Sequence, residues 1–325
     1  MKKLLIALLL LGSCTKPEPI EIITNDLTGR IYNDTTLTAD RDWMLRGRVS
    51  IMPGYTLTIE PGTVIKGRSG TGANASCLII TNGAKINAVG TPQQPIIFTA
   101  DGDVPPSVRG LWGGLIILGD AIGSFPGEVD RVQIEGIPAN DIVGLYGGNN
   151  PHHDAGILSY VSIRHGGSDI GEGNEINALT LGCVGDGTIV NNIEIMDNAD
   201  DGIELFGGNV NVENLLVWGC ADDFVDVDQG YAGNINNILL IPDYVTNNVL
   251  ELDGGEGSYN PMFSITNCKI EYHENNRMHF RGGANGNVTY TGNVNIVAEP
   301  STNVVVDTLA IINESVFDWT YYKNY

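Results

Sequence analysis

The chain has 325 residues, with 17 Lys+Arg against 39 Asp+Glu and a formal net charge of −22. Cations are too scarce to neutralise a phosphate backbone, which excludes nucleic acid as a leading partner. A hydrophobic content of 42% supports a packed core and excludes a disordered acidic tail, while 42 glycines supply left-handed turns, so short strands and bends are expected.

The first segment reads as an address. Lys2 and Lys3 precede the apolar run 4–11 and then Gly12-Ser13-Cys14. The run is too short for a permanent membrane span. This start resembles a bacterial lipoprotein signal. The resemblance implies cleavage after residue 13, acylation of Cys14, a membrane anchor through the lipid, and a cell-envelope location at the outer membrane. Residues 14–44 are expected to be the lipidated Cys14, a tether and an N-terminal cap. Residues 45–325 are expected to form one domain.

That domain carries repeats. Early apolar segments occur at 77–80, 96–99, 115–118, 160–163 and 178–181, and the longest loop between them is Asp120–Gly156. Beyond it, four nine-residue segments align, starting at Asp200, Asp222, Asn247 and Asn275. Their final glycines, Gly208, Gly230, Gly255 and Gly283, are 22, 25 and 28 residues apart. In each nine, the fourth and sixth positions are apolar and the fifth is polar, the period of a strand with one buried face. A second set of segments keeps step and places Asn192, Asn214, Asn237 and Asn267 in one column. Stacked amides of this kind form a hydrogen-bonded ladder and suit a left-handed bend. One coil cannot bury its inner face alone, so the coils must stack. The expected fold is all-β: a right-handed parallel β-helix of about ten coils. Cys77, Cys183, Cys220 and Cys268 match no metal spacing and read as buried single thiols. The late aromatics Trp319, Tyr321, Tyr322 and Tyr325 suit a C-terminal cap over the last coil.

Residues 49–65, 90–99, 110–115 and 174–182, with the Asp-Asp coils, are similar to Gram-negative envelope lipoproteins with a pectin-lyase-like β-helix. The resemblance covers roughly 45–325. It implies the fold and the location, and it brings no fixed activity.

The chemical lead is acidic. From His165 to Cys268 there are 18 Asp+Glu and no Lys or Arg. The alignment puts Glu204, Asp226 and Glu251 in one outward column, followed by His279. Asp228 and Asp253 form the next column, followed by Arg281. Strands lie about 4.8 Å apart, so one Ca²⁺ could bridge carboxylates on successive coils. The plain alternative is a solvated acidic face without an ion. For an enzyme, Asp200, Asp201, Asp222 and Asp223 would supply carboxyls, and Arg277, Arg281 or Arg164 a base. Three functions follow from these residues. The first is a non-catalytic scaffold binding a polysaccharide or an envelope protein, with Ca²⁺ on its acidic face. The second is a Ca²⁺-dependent polysaccharide lyase or a glycosidase, and the third is a purely structural envelope protein.

Overall fold

The computed structural model describes residues 25–169 and 176–324. The signal segment, Cys14, Asn174, Glu175 and Tyr325 lie outside the described residues.

Three parallel sheets wind into a right-handed β-helix. Sheet 1 stacks strands 29–31, 48–51, 77–80, 115–118, 179–182, 203–206, 225–228, 250–252, 277–280 and 295–298. Sheet 2 stacks 35–37, 56–59, 85–89, 156–159, 189–191, 211–213, 234–236, 263–266, 285–289 and 303–307. Sheet 3 runs in the same way from 26–28 to 290–291. Ten rungs per described sheet match the ten coils expected. Pairing begins at Asp26, so residues 26–44 belong to the solenoid's first coils rather than to a separate cap. Their strands are too short and too mixed to show a period in the sequence.

The alternation decides what is inside. Ile203 and Leu205, Val225 and Val227, Leu250 and Leu252, and Met278 and Phe280 all point into one continuous core. Each such side chain stabilises the fold by about 1.5–3 kcal/mol on burial. The corners follow from residue type as well. Between sheets 2 and 3 the chain turns on one left-handed residue, Asn192, Asn214, Asn237 or Asn267, and Tyr160 takes the same place one coil earlier. Asn214 Nδ2 donates to Asn192 Oδ1 at 3.2 Å, and Asn237 Nδ2 to Asn214 Oδ1 at 2.7 Å. Asn267 leaves the ladder and donates to Asn236 instead. At the corner from sheet 1 to sheet 2, Gly208 sits at φ 74° and a Cβ there would meet Val184 O at 2.4 Å, so only glycine fits. The four described cysteines are buried free thiols, as their spacing implied.

Two segments leave the coils. The insertion after residue 118 folds back over the outer face of sheet 1. It brings Phe125, Ile134 and Tyr146 onto Ile79, Ile116 and Leu118, which form a second apolar cluster. The C-terminal tail does not cover the last coil as its aromatics suggested. It runs back along the outer face of sheet 3, where Phe317 packs on Leu216 and Leu239. Trp319 meets Tyr160 at 5.5 Å and Tyr322 meets Trp218 at 5.3 Å. The physical reason is the outward apolar stripe on sheet 3, which needs a cover.

Candidate functional site

The register of sheet 1 joins Ile79, Ile116, Thr180, Glu204, Asp226, Glu251, His279 and Val297 into a single outward column. The alignment thus places Glu204, Asp226 and Glu251 where expected, on adjacent rungs. It does not place them in solvent. Glu204 and Glu251 are only 7% and 8% exposed, and the insertion over sheet 1 continues along these rungs, where Tyr146 meets Phe206 at 6.2 Å and the N–H of Ser124 donates to Gln229 O at 2.8 Å. Glu135, from that insertion, lies close enough to act on Glu204.

Specific bonds hold the column. Asn177 Nδ2 donates to Glu204 Oε2. Asn248 Nδ2 donates to Glu251 Oε2 at 2.8 Å, and Arg281 Nη1 to Glu251 Oε1 at 2.6 Å. Arg281 Nε stands 3.5 Å from Asp253 Oδ1, and His279 Nδ1 stands 3.4 Å from Glu251 Oε2. Asp228 Oδ1 accepts the N–H of Gln229.

The turn from sheet 3 to sheet 1 adds a parallel acidic ladder. Asp201 Oδ1 accepts the N–H of Asp223 at 2.9 Å. Asp223 Oδ1 accepts both the N–H and the Nδ2 of Asn248, at 2.7 and 2.8 Å. Asn247 Nδ2 donates to Asp222 Oδ1 at 2.9 Å. Asp201 and Asp223 are therefore turn-makers with one oxygen tied to backbone. Arg277, one coil on, closes this ladder by donating from its side chain to Asn247 and Asn248, and it is not a member of the column. Arg164 lies far from it, on the outer face of sheet 3 beside Glu194.

The two ladders converge. Oxygens of Asp201, Glu204 and Asp226 lie within 4.8 Å of one another, as do those of Asp223, Asp226 and Glu251, and of Asp200, Asp201 and Asp222. Burial, then neighbouring acids, pushes Asp201, Glu204 and Asp226 well above the usual carboxylate range. Burial and the charges of Glu251 and Asp222 push Asp223 to about 8. Burial raises Asp253 to about 7 and Asp228 to about 6. Glu251 goes the other way. Burial is the largest single influence and works against its charge, but the bonds from Arg281 and Asp223 and the charges of Arg281 and His279 together outweigh it, and its pKa falls. Two buried oxygens here, Asp226 Oδ1 and Asn177 Oδ1, have no hydrogen-bond partner among the described residues.

This arrangement can do two things chemically. It can gather oxygens around a hard divalent cation. It can also set a protonated Asp226 beside an ionised Glu251, a pair whose environments drive the two acids apart. The alignment had stacked Asn247 and Asn248 on Asp222 and Asp223, and the bonds between them bear that out. The sequence had missed Asn177 and Glu135, and Glu135 sits in an insertion with no repeat register.

No curated protein matches the chain. Among solved structures, the alginate lyase from Paenibacillus sp. str. FPU-7 aligns at 12% identity, over 77% of this chain and 93% of its own. Its TM-score of 0.23 is too low to transfer anything. The family described as "Pectate-lyase like beta helix domain" matches residues 29–306. That span holds nearly every rung of the three sheets and the whole acidic column, and the chain belongs to this family.

Proposed function

We propose that the acidic column of sheet 1 binds a divalent cation, Ca²⁺ by its preference for oxygen, and serves as a glycan-binding surface. The observation that carries this reading is the triad Asp201, Glu204 and Asp226. Its members come from adjacent coils, and the charged neighbours that act on them most are all acidic. Like charges buried together either hold protons or share a cation. The buried oxygens of Asp226 and Asn177 that lack a hydrogen-bond partner among the described residues support the cation, which would take them as ligands. Glu251, Asp228 and Asp253 extend the same surface towards Arg281. Sugar hydroxyls and carboxylates would complete the metal's shell. In this reading the lipid on Cys14 holds the chain at the membrane, and the sheet faces a polysaccharide of the cell envelope.

The test is thermal unfolding of the soluble chain from Thr15, in chelator and in millimolar Ca²⁺, followed by a glycan array under both conditions. Ca²⁺ at 100 times its dissociation constant should add about 2.7 kcal/mol. Superimposable melting curves would sink the cation, and an array that is equally blank with and without Ca²⁺ would sink the glycan.

A second reading is glycoside cleavage, and the Asp226–Glu251 pair favours it: a protonated acid one rung from an ionised one suits a retaining mechanism. A lyase fits less well. Arg281 bonds Glu251, which raises its pKa further and makes it a poor proton acceptor. Release of reducing ends from a glycan identified on the array, lost in Glu251→Gln, would establish cleavage.

A further inference from the structure

The two ends of the solenoid differ. At the first coil the inward residues are closed off, with Leu27 and Leu37 only 7% and 0% exposed. At the last coil they are open. The inward column of sheet 1 runs on from Met278 and Phe280 to Ile296 and Ala298, and that of sheet 2 from Val288 to Val306. Every residue of strand 295–298 is exposed, Ile296 by 38%, and Val304 and Val306 are only half-buried. The core therefore ends in solvent, with no further rung among the described residues.

The backbone is open at the same place. The N–H groups of Asn295 and Glu299 donate back to Asn276 and Phe280, at 2.9 and 2.8 Å, and that of Asn303 donates to Ala284 at 2.7 Å. Alternate residues of a strand point their N–H groups to the same side. Those of Ile296, Ala298, Val304 and Val306 therefore face away from the body of the solenoid.

Edge strands are ordinarily blunted by charge or hidden by a covering segment. Neither protection is present. Residues 282–306 hold one charged side chain, Glu299, in a chain that is 17% charged. Glu299 is turned back onto His279 and the N–H of Gly282. The tail climbs away along successively earlier coils: Ile311 N–H donates to Asn267 Oδ1, Asn313 N–H to Asn237 Oδ1 and Tyr322 N–H to Glu194 Oε1. Where it leaves the last coil, Leu309 and Ile311 stay 78% and 84% exposed. In the soluble chain from Thr15, residues 15–24 join the first coil, about 43 Å from the open end, and ten residues span at most about 36 Å.

The open end matches itself: an apolar floor, almost no charge and a row of free backbone groups. Two copies of a chain with a net charge of −22 meet at least cost where that charge is absent. The closed first coil disfavours head-to-tail stacking, which would build a filament. We infer that two copies join through their last coils in a two-fold symmetric dimer, with strand 295–298 lying antiparallel to its counterpart in the second copy. The inward residues of the two last rungs then cover one another, and the edge N–H and C=O groups gain partners. This contact shares no residue with the acidic triad, so it stands whether or not the triad binds Ca²⁺.

The test is sedimentation equilibrium on the soluble chain in chelator. A dimer should form with a dissociation constant on the order of 1–10 µM. Ala298→Glu sets two carboxylates face to face across the two-fold axis, and Ala298→Pro removes an N–H that points out of the open edge. Each should weaken the dimer by at least about tenfold. Both should keep the melting temperature that the parent chain shows when diluted below the dissociation constant, because neither removes a bond within the chain. Tyr32→Glu, on the exposed rim of the first coil, should leave the dimer unchanged. A parent chain that stays monomeric at about 100 µM overturns the inference. So does unchanged association in either Ala298 variant, loss of the dimer in Tyr32→Glu, or growth into open-ended oligomers.

Discussion

Sheet 1 carries one outward column with two characters. Ile79 and Ile116 belong to an apolar cluster under the insertion after residue 118, whereas the later rungs Glu204, Asp226, Glu251 and His279 carry ionisable groups, with Glu135 of the insertion acting on the first of them. The inward side is the same in both halves, a run of Leu, Ile and Val in one core. The β-helix therefore constrains its inner positions and leaves the outer ones free. In one half they anchor a covering loop. In the other they concentrate charge.

Exchanging the two characters tests the contrast most severely. Ile116 is 1% exposed inside the apolar cluster under the insertion. Ile116→Asp should destabilise the fold by about 3–5 kcal/mol, the range for an uncompensated buried charge. The reverse change, Asp226→Leu, removes a carboxyl from a crowded acidic triad. In chelator it should leave stability unchanged or raise it by about 1 kcal/mol, and it should erase the response to Ca²⁺. Urea midpoints for the two variants decide the matter. If both destabilise equally, the halves do not differ as described. Glu251 does not belong in this test, because its bond to Arg281 makes its charge favourable.

Proton linkage gives a smaller effect with a definite sign. Asp223, Asp253 and Asp228 keep their protons up to about 8, 7 and 6 in the fold, against a reference value of 3.8. Between those limits the native state binds more protons than the unfolded chain, so stability falls as pH rises from about 4 to about 8. Each group contributes a slope of about 1.4 kcal/mol per pH unit within its own window. Glu251 has the opposite sign: its contribution is present above the usual carboxylate range and is lost as pH drops below it. From pH 5 to 8 the raised acids dominate, so the melting temperature in chelator should fall. Saturating Ca²⁺ favours the ionised forms and should flatten the slope. A melting temperature that climbs from pH 5 to 8 in chelator contradicts the burial of these acids.

Much of this was legible in the sequence, for a physical reason. A strand with one buried face must alternate, and a sharp bend must use a residue that accepts positive φ. The alignment of Ile203–Leu205 with Val225–Val227, and of Asn192 with Asn214, therefore reported real rungs. Register carried the acidic column along with it. Burial did not come with it, because the cover over Glu204 is an insertion with no period of its own, and Glu135 arrives from there. The tail was misread for a related reason. Trp319 and Tyr322 are visibly partners for something apolar, yet composition does not say in which direction the chain runs. Only the outward stripe of Leu216, Trp218 and Leu239 settles that.

The corner between sheets 2 and 3 offers the finest test, because it is shared by both halves. Asn214 stands at φ 59°, donates to Asn192 and accepts from Asn237. Asn214→Ala loses both amide bonds and also forces a methyl-bearing residue into the left-handed region, for a cost of about 2–3 kcal/mol. Asn214→Gly loses the same bonds but keeps the bend at ease, for a cost of about 1 kcal/mol. The difference between the two variants isolates the backbone contribution. Equal urea midpoints would mean that the amide ladder alone holds the corner. Tyr160, at φ 53° in the covered half, would then need no special account, since its ring packs on Trp319 and its corner has no ladder below it to lose.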